Sequence, residues 1–230
     1  MNKLIAFSPC DNNNLANFNK LEKSFHHFHP NVELRRIDNP NPEDKDFWYR
    51  ATPVLAKKLF DEGFDTILKL DADQIITGSL IDIIEDKTDY DVAVVLNDPS
   101  FPIQVWDIFP YYNLGLVVLK SKAFVEHWLK LCFSEHFPKY QFREQDLLNI
   151  LASNYHNYRV KILDQEKVYG EFAKPNWTKT FIKDDKIWFN FNGKDLQLCV
   201  YHSGGGNTPD KGKYRLRFPP EVADWIDKLI

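Results

Sequence analysis

Residues 67–80 of the chain have the sequence ILKLDADQIITGSL, in which an apolar run ends abruptly at two aspartates. The apolar residues before Asp71 predict a buried strand, and Asp73 follows two positions later. Two carboxylates at the end of a buried strand are costly for folding unless they hold something, and such a pair can bind a hard divalent cation through oxygen. The structural alternative is that Asp71 begins a turn and Asp73 caps a helix after it.

The order of predicted elements around this stretch indicates the fold class. Strands alternate with helices through about the first 150 residues, which is typical of an α/β fold with a largely parallel sheet flanked by helices. Ligands bind beyond the carboxyl ends of the strands in such sheets, and the aspartates lie at one of those ends. The predicted strands cover 3–8, 32–37, 66–70, 92–96 and 114–119, and the predicted helices cover 15–28, about 53–63, a short piece after Ser79, 123–133 and 146–151. The remainder is strand-like and aromatic, ending in 196–201 and a glycine-rich loop.

Composition excludes some classes of protein. With 230 residues and 43% apolar residues, the chain is long enough for one domain with a sizeable core. A net charge of −4 argues against a protein that binds duplex nucleic acid through a basic face. The three scattered cysteines predict reduced thiols in a cytoplasmic protein. The apolar runs are too short for a signal peptide or a transmembrane helix, so neither is expected.

A second candidate segment is CVYHSGGGNTPDKGKYR, residues 199–215. His202 follows a predicted strand and could supply a nitrogen ligand to the same metal. The glycine-rich loop that begins at Gly204 has amide groups suited to binding phosphate, and Lys211 or Lys213 can add positive charge. The alternative is a core histidine beside a C-terminal turn.

Two further segments carry polar residues next to apolar elements. In FPYYNLGLVVLKS, residues 109–121, Asn113 and Gly115 precede a predicted strand, and the Asn113 amide could bind sugar hydroxyls; the alternative is turn chemistry. In REQDLLNIL, residues 143–151, the polar start of a helix could orient a sugar. The alternative there is helix capping and dipole stabilisation by Glu144 and Asp146.

Four segments in this order resemble a known family. LKLDADQII is similar to the Asp-x-Asp segment of nucleotide-sugar-dependent glycosyltransferases with the GT-A fold. YYNLGLVVLKS, EQDLLN and YHSGG resemble the Asn-x-Gly strand, the Asp-Gln-Asp segment and the C-terminal His-x-x-Gly segment of glycosyltransferase family 8, the glycogenin and bacterial galactosyltransferase group. Glu144 stands where that family usually has Asp, and the Lys-Pro-Trp that usually follows the histidine is absent.

The resemblance implies a set of site residues. It implies a divalent metal, Mn²⁺ or Mg²⁺, held by Asp71, Asp73 and His202. It implies catalytic positions at Gln145 and Glu144, with no nucleophile assigned. The substrate-binding candidates are Ser8, Arg50, Asp98, Asn113, Gly115, Asp146, Gly204, Lys211 and Lys213.

The resemblance also implies an activity and a domain plan. We expect a single GT-A (Rossmann-like) domain over 1–230, with a nucleotide-binding part at about 1–100 and an acceptor-side and C-terminal loop part at about 101–230. It would move a sugar from a nucleotide diphosphate donor, UDP-linked by resemblance, to a hydroxyl of a glycan or other acceptor, with retention at the anomeric carbon. The alternatives are a phosphohydrolase of the HAD type that uses the Asp pair, and a non-catalytic module that binds nucleotide sugars.

Overall fold

The computed structural model describes residues 3–97, 110–153, 157–163, 179–191, 193–202 and 213–230. The main strands are β1 (Leu4–Pro9), β2 (Leu34–Ile37), β3 (Thr66–Leu70), β4 (Gln74–Ile76), β5 (Val92–Leu96), β6 (Tyr112–Leu119) and β7 (Val160–Leu163). Four more follow: β8 (Phe181–Lys183), β9 (Lys186–Phe191), β10 (Lys194–Gln197) and β11 (Val200–His202). The helices are α1 (Leu15–Phe28), α2 (Ala51–Asp61), α3 (Ile81–Ile84), α4 (Lys122–Cys132), α5 (Glu144–Ala152), α6 (Lys213–Arg217) and α7 (Pro220–Leu229).

Within the described ranges, the central sheet has six strands in the order β2-β1-β3-β6-β5-β7. Strand β6 runs antiparallel to both of its neighbours, and the other pairings are parallel. The predicted α/β architecture with a mixed, largely parallel sheet is therefore confirmed. The reversal of β6 was not predicted.

Helices cover both faces of the sheet. Side chains alternate between these faces along a strand, so each strand contributes to both cores. In β3, Ile67 belongs to the core that α2, α4 and α5 complete, and Leu68 and Leu70 belong to the core beneath α1. Lys69 shares the face of Ile67 and is buried at 3% exposure. A buried lysine at the carboxyl end of this strand faces the same side of the sheet as α5.

The segment after Asp73 differs from the prediction. A short strand, β4, follows the aspartates and pairs antiparallel with β11, so that His202 lies opposite Gln74. The interpretation of Asp73 as a helix cap is therefore wrong. A backbone turn does exist, since the amide of Gln74 donates to the carbonyl of Asp71 at 3.2 Å.

Strand β6 contains a bulge beside the aspartates. Its register with β5 jumps from Val117 to Asn113, which leaves residues 114–116 without partners in β5. Bulges re-aim groups and are frequent beside functional sites. Here the carbonyl of Gly115 accepts from the amide of Asp71 at 3.0 Å and from Gln74 Nε2 at 3.0 Å. Asn113 and Gly115 thus both lie within the strand, which begins two residues earlier than the predicted 114–119.

The C-terminal part forms a third apolar cluster around β9 and α7. Strands β8, β9 and β10 make an antiparallel sheet, and α7 buries Val222, Ala223 and Ile226. The prediction of strand-like structure after residue 151 is correct for these strands but missed the helices at the end. No helix among the described residues combines the length and apolar character that crossing a membrane would require.

Candidate functional site

Three side chains that could bind a metal converge at the carboxyl end of β3. Asp71 and Asp73 come from the turn between β3 and β4, and His202 ends β11, which β4 holds in place. One ligand atom from each of the three lies within 4.8 Å of the others. His202 Nε2 is 3.1 Å from Asp73 Oδ1 and 3.6 Å from Asp71 Oδ2. The antiparallel β4–β11 pairing therefore brings together residues that are about 130 positions apart.

The donor set and its spacing fit a divalent cation. Ligands at right angles around an ion at about 2.1 Å lie roughly 3 Å from one another, close to the two distances from His202 Nε2. Carboxylate oxygens suit Mg²⁺ and Mn²⁺, and an imidazole is also found on first-row transition metals. All three residues are half-buried. The residues present therefore fit the expected metal.

Lys69 holds one of the candidate ligands. Its ammonium forms an ion pair with Asp71 Oδ1 and donates to the carbonyl of Leu114 at 2.8 Å. That carbonyl is available because Leu114 belongs to the bulge in β6. A buried ammonium needs a partner, and here it is shared between Asp71 and the bulge. This role of Lys69 was not predicted, because a lysine inside an apolar strand usually lies at an exposed edge.

Side chains of helix α5 form hydrogen bonds with backbone groups of β6, as a neighbouring strand would. Asn149 accepts from the amide of Tyr112 at 2.6 Å and donates to its carbonyl at 3.0 Å. One turn earlier, Gln145 Oε1 accepts from the amide of Leu114 at 2.9 Å. Gln145 Nε2 also donates to the hydroxyl of Tyr111 at 3.2 Å. The amide of Gln145 is thus held rigidly beside the bulge.

Glu144 caps a different helix from the one that it begins. Its two carboxylate oxygens accept from the amide and the hydroxyl of Thr52, at 3.0 Å and 2.8 Å, at the start of α2. The first amides of a helix have no partner within the helix, so a carboxylate there is favourable. Burial raises the pKa of Glu144 to about 7, against the opposing effects of the Thr52 hydrogen bond and the positive charge of Lys69. Glu144 therefore caps α2, and not the helix that it begins, as the capping interpretation had it.

This pKa predicts a pH dependence of stability. The folded-state pKa of about 7 lies above the ordinary value of 4.5, so the folded protein binds the proton more tightly than the unfolded chain does. The stabilisation of the folded state by the proton on Glu144 is therefore fully present below about pH 4.5 and is lost as the pH rises through about 7. Its size is on the order of 3 kcal/mol.

We expect Glu144→Gln to flatten that dependence, because a glutamine can keep both contacts with Thr52 without titrating. The measurement is the urea midpoint of wild type and variant at pH 5 and pH 8. The variant should gain stability relative to wild type at pH 8. Parallel changes in the two proteins between these pH values would show that Glu144 does not titrate there.

Asp146 has a structural place in the same helix. It accepts from the amide of Phe142 at 2.8 Å, just before α5, and from the hydroxyl of Tyr111 at 2.5 Å. Burial raises the pKa of Asp146, and burial together with the Asp146 carboxylate raises the pKa of Tyr111. These contacts favour the capping interpretation. Asn113 also has a local contact, with Oδ1 accepting from the amide of Gly115 at 2.6 Å.

The other predicted substrate-binding residues lie in several places. Ser8 is fully buried at the end of β1, and its hydroxyl has no partner among the described residues. A ligand could reach it only if its neighbours moved. Arg50 precedes α2 and is paired with Asp44 at 2.7 Å. Lys213 begins α6. Asp98, Gly204 and Lys211 lie outside the described residues.

A cavity of about 340 Å³ opens beside Asp71. It contains the predicted residues Glu144 and Gln145. The other residues that line it are Trp48, Tyr49, Lys69, Leu114, Gln141, Phe142 and Arg143. The consecutive aromatic residues before α2 were a signal that could have been used. Arg143 belongs to the polar segment at the start of α5, for which the sequence indicated a possible role in orienting a sugar.

Comparisons with known proteins agree with this architecture. No protein-family model matches the chain. A lipopolysaccharide 1,2-glucosyltransferase of Escherichia coli is 25% identical over 185 residues, which is 70% of this chain and 51% of that protein. The chain therefore spans about half the length of this curated relative.

Solved structures match over nearly the whole chain. The galactosyltransferase LgtC, solved with donor and acceptor sugar analogues, has a TM-score of 0.63 at 20% identity and covers 98% of this chain and 96% of its own. A glycosyltransferase involved in glycosylation of the major capsid of PBCV-1 has a TM-score of 0.61 at 11% identity, covering 98% of this chain and 99% of its own. These matches show that the fold is the GT-A fold. The curated relative and these structures are named as glycosyltransferases, and they confirm the resemblance of the chain to that group of proteins.

Proposed function

We propose that the chain is a metal-dependent glycosyltransferase that moves a sugar from a nucleotide diphosphate donor, UDP-linked, to a hydroxyl of an acceptor, with retention at the anomeric carbon. The observation that carries the proposal is the convergence of Asp71, Asp73 and His202 beside the cavity in a GT-A fold. The E. coli relative is named as a glucosyltransferase, and LgtC was solved with donor and acceptor sugar analogues. Both support a donor and an acceptor sugar here.

The reaction breaks one bond and makes one. The bond between the anomeric carbon and the diphosphate oxygen breaks, and its electron pair stays on the nucleoside diphosphate. The acceptor oxygen bonds to the anomeric carbon, and its proton leaves to the diphosphate or to solvent. A divalent cation bound by Asp71, Asp73 and His202 would supply charge stabilisation for the leaving diphosphate.

The chain's own residues position the reactants. Gln145 lines the cavity and is held at both ends of its amide, so it can orient the transferred sugar without rearrangement. Both oxygens of Glu144 are engaged by Thr52. We therefore assign Glu144 the role of a positioning residue that joins the starts of α2 and α5 beside the cavity. Neither residue is proposed as a nucleophile.

A thermal-shift screen of nucleotide sugars, with Mn²⁺ and with chelator, tests the proposal. A ligand that binds only the folded state raises the melting temperature. We expect UDP-sugars to raise it with Mn²⁺ and to leave it unchanged with chelator. A phosphatase assay and a donor-hydrolysis assay on the same samples separate the candidates. Phosphate release without any nucleotide-sugar binding would contradict the proposal and favour a phosphohydrolase.

His202→Ala should weaken metal-dependent UDP binding on the order of tenfold, because two of three ligands remain. His202 is at the end of a short strand and is not in the described apolar clusters, so the melting temperature without metal should change little. The measurement is a Mn²⁺ titration of UDP binding. His136→Ala, at an exposed histidine in a turn, is the matched control. Wild-type affinity in His202→Ala would show that His202 is not a ligand.

A further inference from the structure

The cavity extends away from the candidate metal site and has a surface to which the proposed mechanism assigns no role. Of the three candidate ligands, only Asp71 lines it. Trp48, Tyr49 and Arg143 also line it, and none of them holds the donor in the mechanism above. We call these three residues the outer wall of the cavity.

Two aromatic rings of the outer wall are exposed. Trp48 and Tyr49 lie in a short 3-10 helix, Phe47–Tyr49, just before α2. Phe47 anchors this turn in the core at 3% exposure, whereas Trp48 is 37% and Tyr49 is 50% exposed. Adjacent exposed aromatic rings at a cavity are typical of a binding surface, because they offer a flat apolar face with a polar edge. The C–H faces of a sugar ring match such a surface.

The third member of the outer wall is a cation without a carboxylate partner. The Arg143 guanidinium lies 5.3 Å from the ring centre of Tyr49 and 5.8 Å from that of Phe137. Its Nη1 donates to the carbonyl of Phe137 at 3.2 Å. Within the described ranges, no Asp or Glu lies within ion-pair distance of it. Other arginines are paired with carboxylates: Arg35, Arg36, Arg50, Arg159 and Arg215.

These contacts leave the guanidinium fixed and still able to donate. A guanidinium has five N–H donors in one plane, and stacking on rings occupies its face and not its edge. One donor is used by Phe137. The remaining edge suits a planar carboxylate or a phosphate, which arginine binds with paired hydrogen bonds.

The backbone of Arg143 is held in a strained conformation by the contacts of the residues that follow it. Its φ is +50° and its ψ is −117°, a region that residues other than glycine rarely adopt. The next two residues are tied down, Glu144 by Thr52 and Gln145 by the amide of Leu114. Strain of this kind persists where surrounding contacts over-determine the conformation, and it is concentrated at functional sites.

We infer that the outer wall is the acceptor subsite, and that it accepts a sugar carrying a negatively charged group, a phosphate or a carboxylate, which Arg143 binds. This inference rests on the proposed function. The rings of Trp48 and Tyr49 hold the sugar, and the guanidinium selects the anionic acceptor over its neutral counterpart. The donor diphosphate is the other possible source of negative charge, but the metal site beside Asp71 already provides for it.

Binding of simple sugars in the presence of UDP and Mn²⁺ tests the inference. The probes are glucose 6-phosphate, glucuronic acid and glucose, with inorganic phosphate as a probe for the anion alone, and affinity is measured by ligand-observed NMR titration. We expect wild type to bind at least one of the two anionic sugars on the order of tenfold more tightly than glucose and than inorganic phosphate. Equal binding of the three sugars would overturn the inference.

Variants separate the acceptor from the donor. Arg143→Gln should remove the preference for the anionic sugar and leave the affinity for UDP with Mn²⁺ unchanged. Lys139→Gln removes one charge from an exposed position in the same region and should keep the preference. A loss of UDP affinity in Arg143→Gln would overturn the inference, because the guanidinium would then serve the donor.

Two more variants keep the test decisive if Arg143→Gln does not fold. Arg143→Lys retains the charge and should retain part of the preference. Trp48→Ala should weaken the binding of the anionic sugar and of the neutral sugar by the same factor. An unchanged affinity for both sugars in Trp48→Ala would contradict the assigned surface. If the proposed function itself is wrong, the wild-type protein will not bind UDP even with Mn²⁺, and this result is distinct from those above.

Discussion

Asp73→Asn is expected to lower the rate of sugar transfer by on the order of a hundred- to a thousandfold, while the melting temperature in chelator changes little. The amide removes a charged ligand, and the loss of a single ligand or group that stabilises developing charge has effects of this size. Asp73 is half-buried and contacts His202 at 3.1 Å, and an asparagine oxygen can keep that contact. The measurement is the rate of UDP release from a UDP-sugar at saturating Mn²⁺, beside a thermal melt.

Asp73 is a cleaner position for this test than Asp71. Replacing Asp71 would deprive the buried ammonium of Lys69 of its carboxylate, so stability and activity would fall together. Asp82→Asn, at an exposed residue in the first turn of α3, is the matched control and should keep full activity. Full activity in Asp73→Asn would remove Asp73 from the metal site.

Asn149→Leu is expected to destabilise the protein by about 4 kcal/mol. Asn149 is fully buried and bonds the amide and the carbonyl of Tyr112. Leucine has the same branching pattern but is larger and leaves both backbone groups without partners, and each orphaned group costs roughly 1–3 kcal/mol. The substitution also removes the hydrogen bond that Asn149 donates to the carbonyl of Gln145 at 2.8 Å.

The measurement is chemical unfolding of Asn149→Leu beside Asn19→Leu, an exposed position within α1 that should change stability little. Transfer per folded molecule should also fall, because α5 carries Gln145 beside the bulge. A loss below about 1 kcal/mol would show that the link between α5 and β6 does not depend on this amide.

The sequence predicted the elements whose pattern is local. The bounds of β3 and β5 agree with the predicted 66–70 and 92–96, since both strands are mainly apolar runs bounded by turn residues. Strand β4 was missed because three residues are too few to show a period. The direction of β6 could not be predicted, because the alternation of side chains is the same in both directions. Helix α7 carried usable signals, with prolines at its start and buried positions spaced for a helix.

The candidate site was predicted through the resemblance and only partly through the residues. The spacing of Asp71 and Asp73 indicated a possible metal, and the structure brings His202 to them through the β4–β11 pairing, which nothing in the local sequence revealed. The outer wall was not predicted: the consecutive aromatic residues Trp48 and Tyr49 were a usable signal, but their exposure depends on tertiary packing. The positive φ of Arg143 is set by the distant contacts of the two residues after it.

Calorimetric titration of UDP into the wild-type protein, with Mn²⁺ and then with chelator, tests the central claim most directly. The geometry of Asp71, Asp73 and His202 predicts binding with Mn²⁺ and none measurable in chelator, because the diphosphate charge then has no counter-ion at that site. Asp73→Asn should bind UDP weakly even with Mn²⁺. Equal UDP affinity in Mn²⁺ and in chelator would contradict a metal-dependent glycosyltransferase site at these three residues.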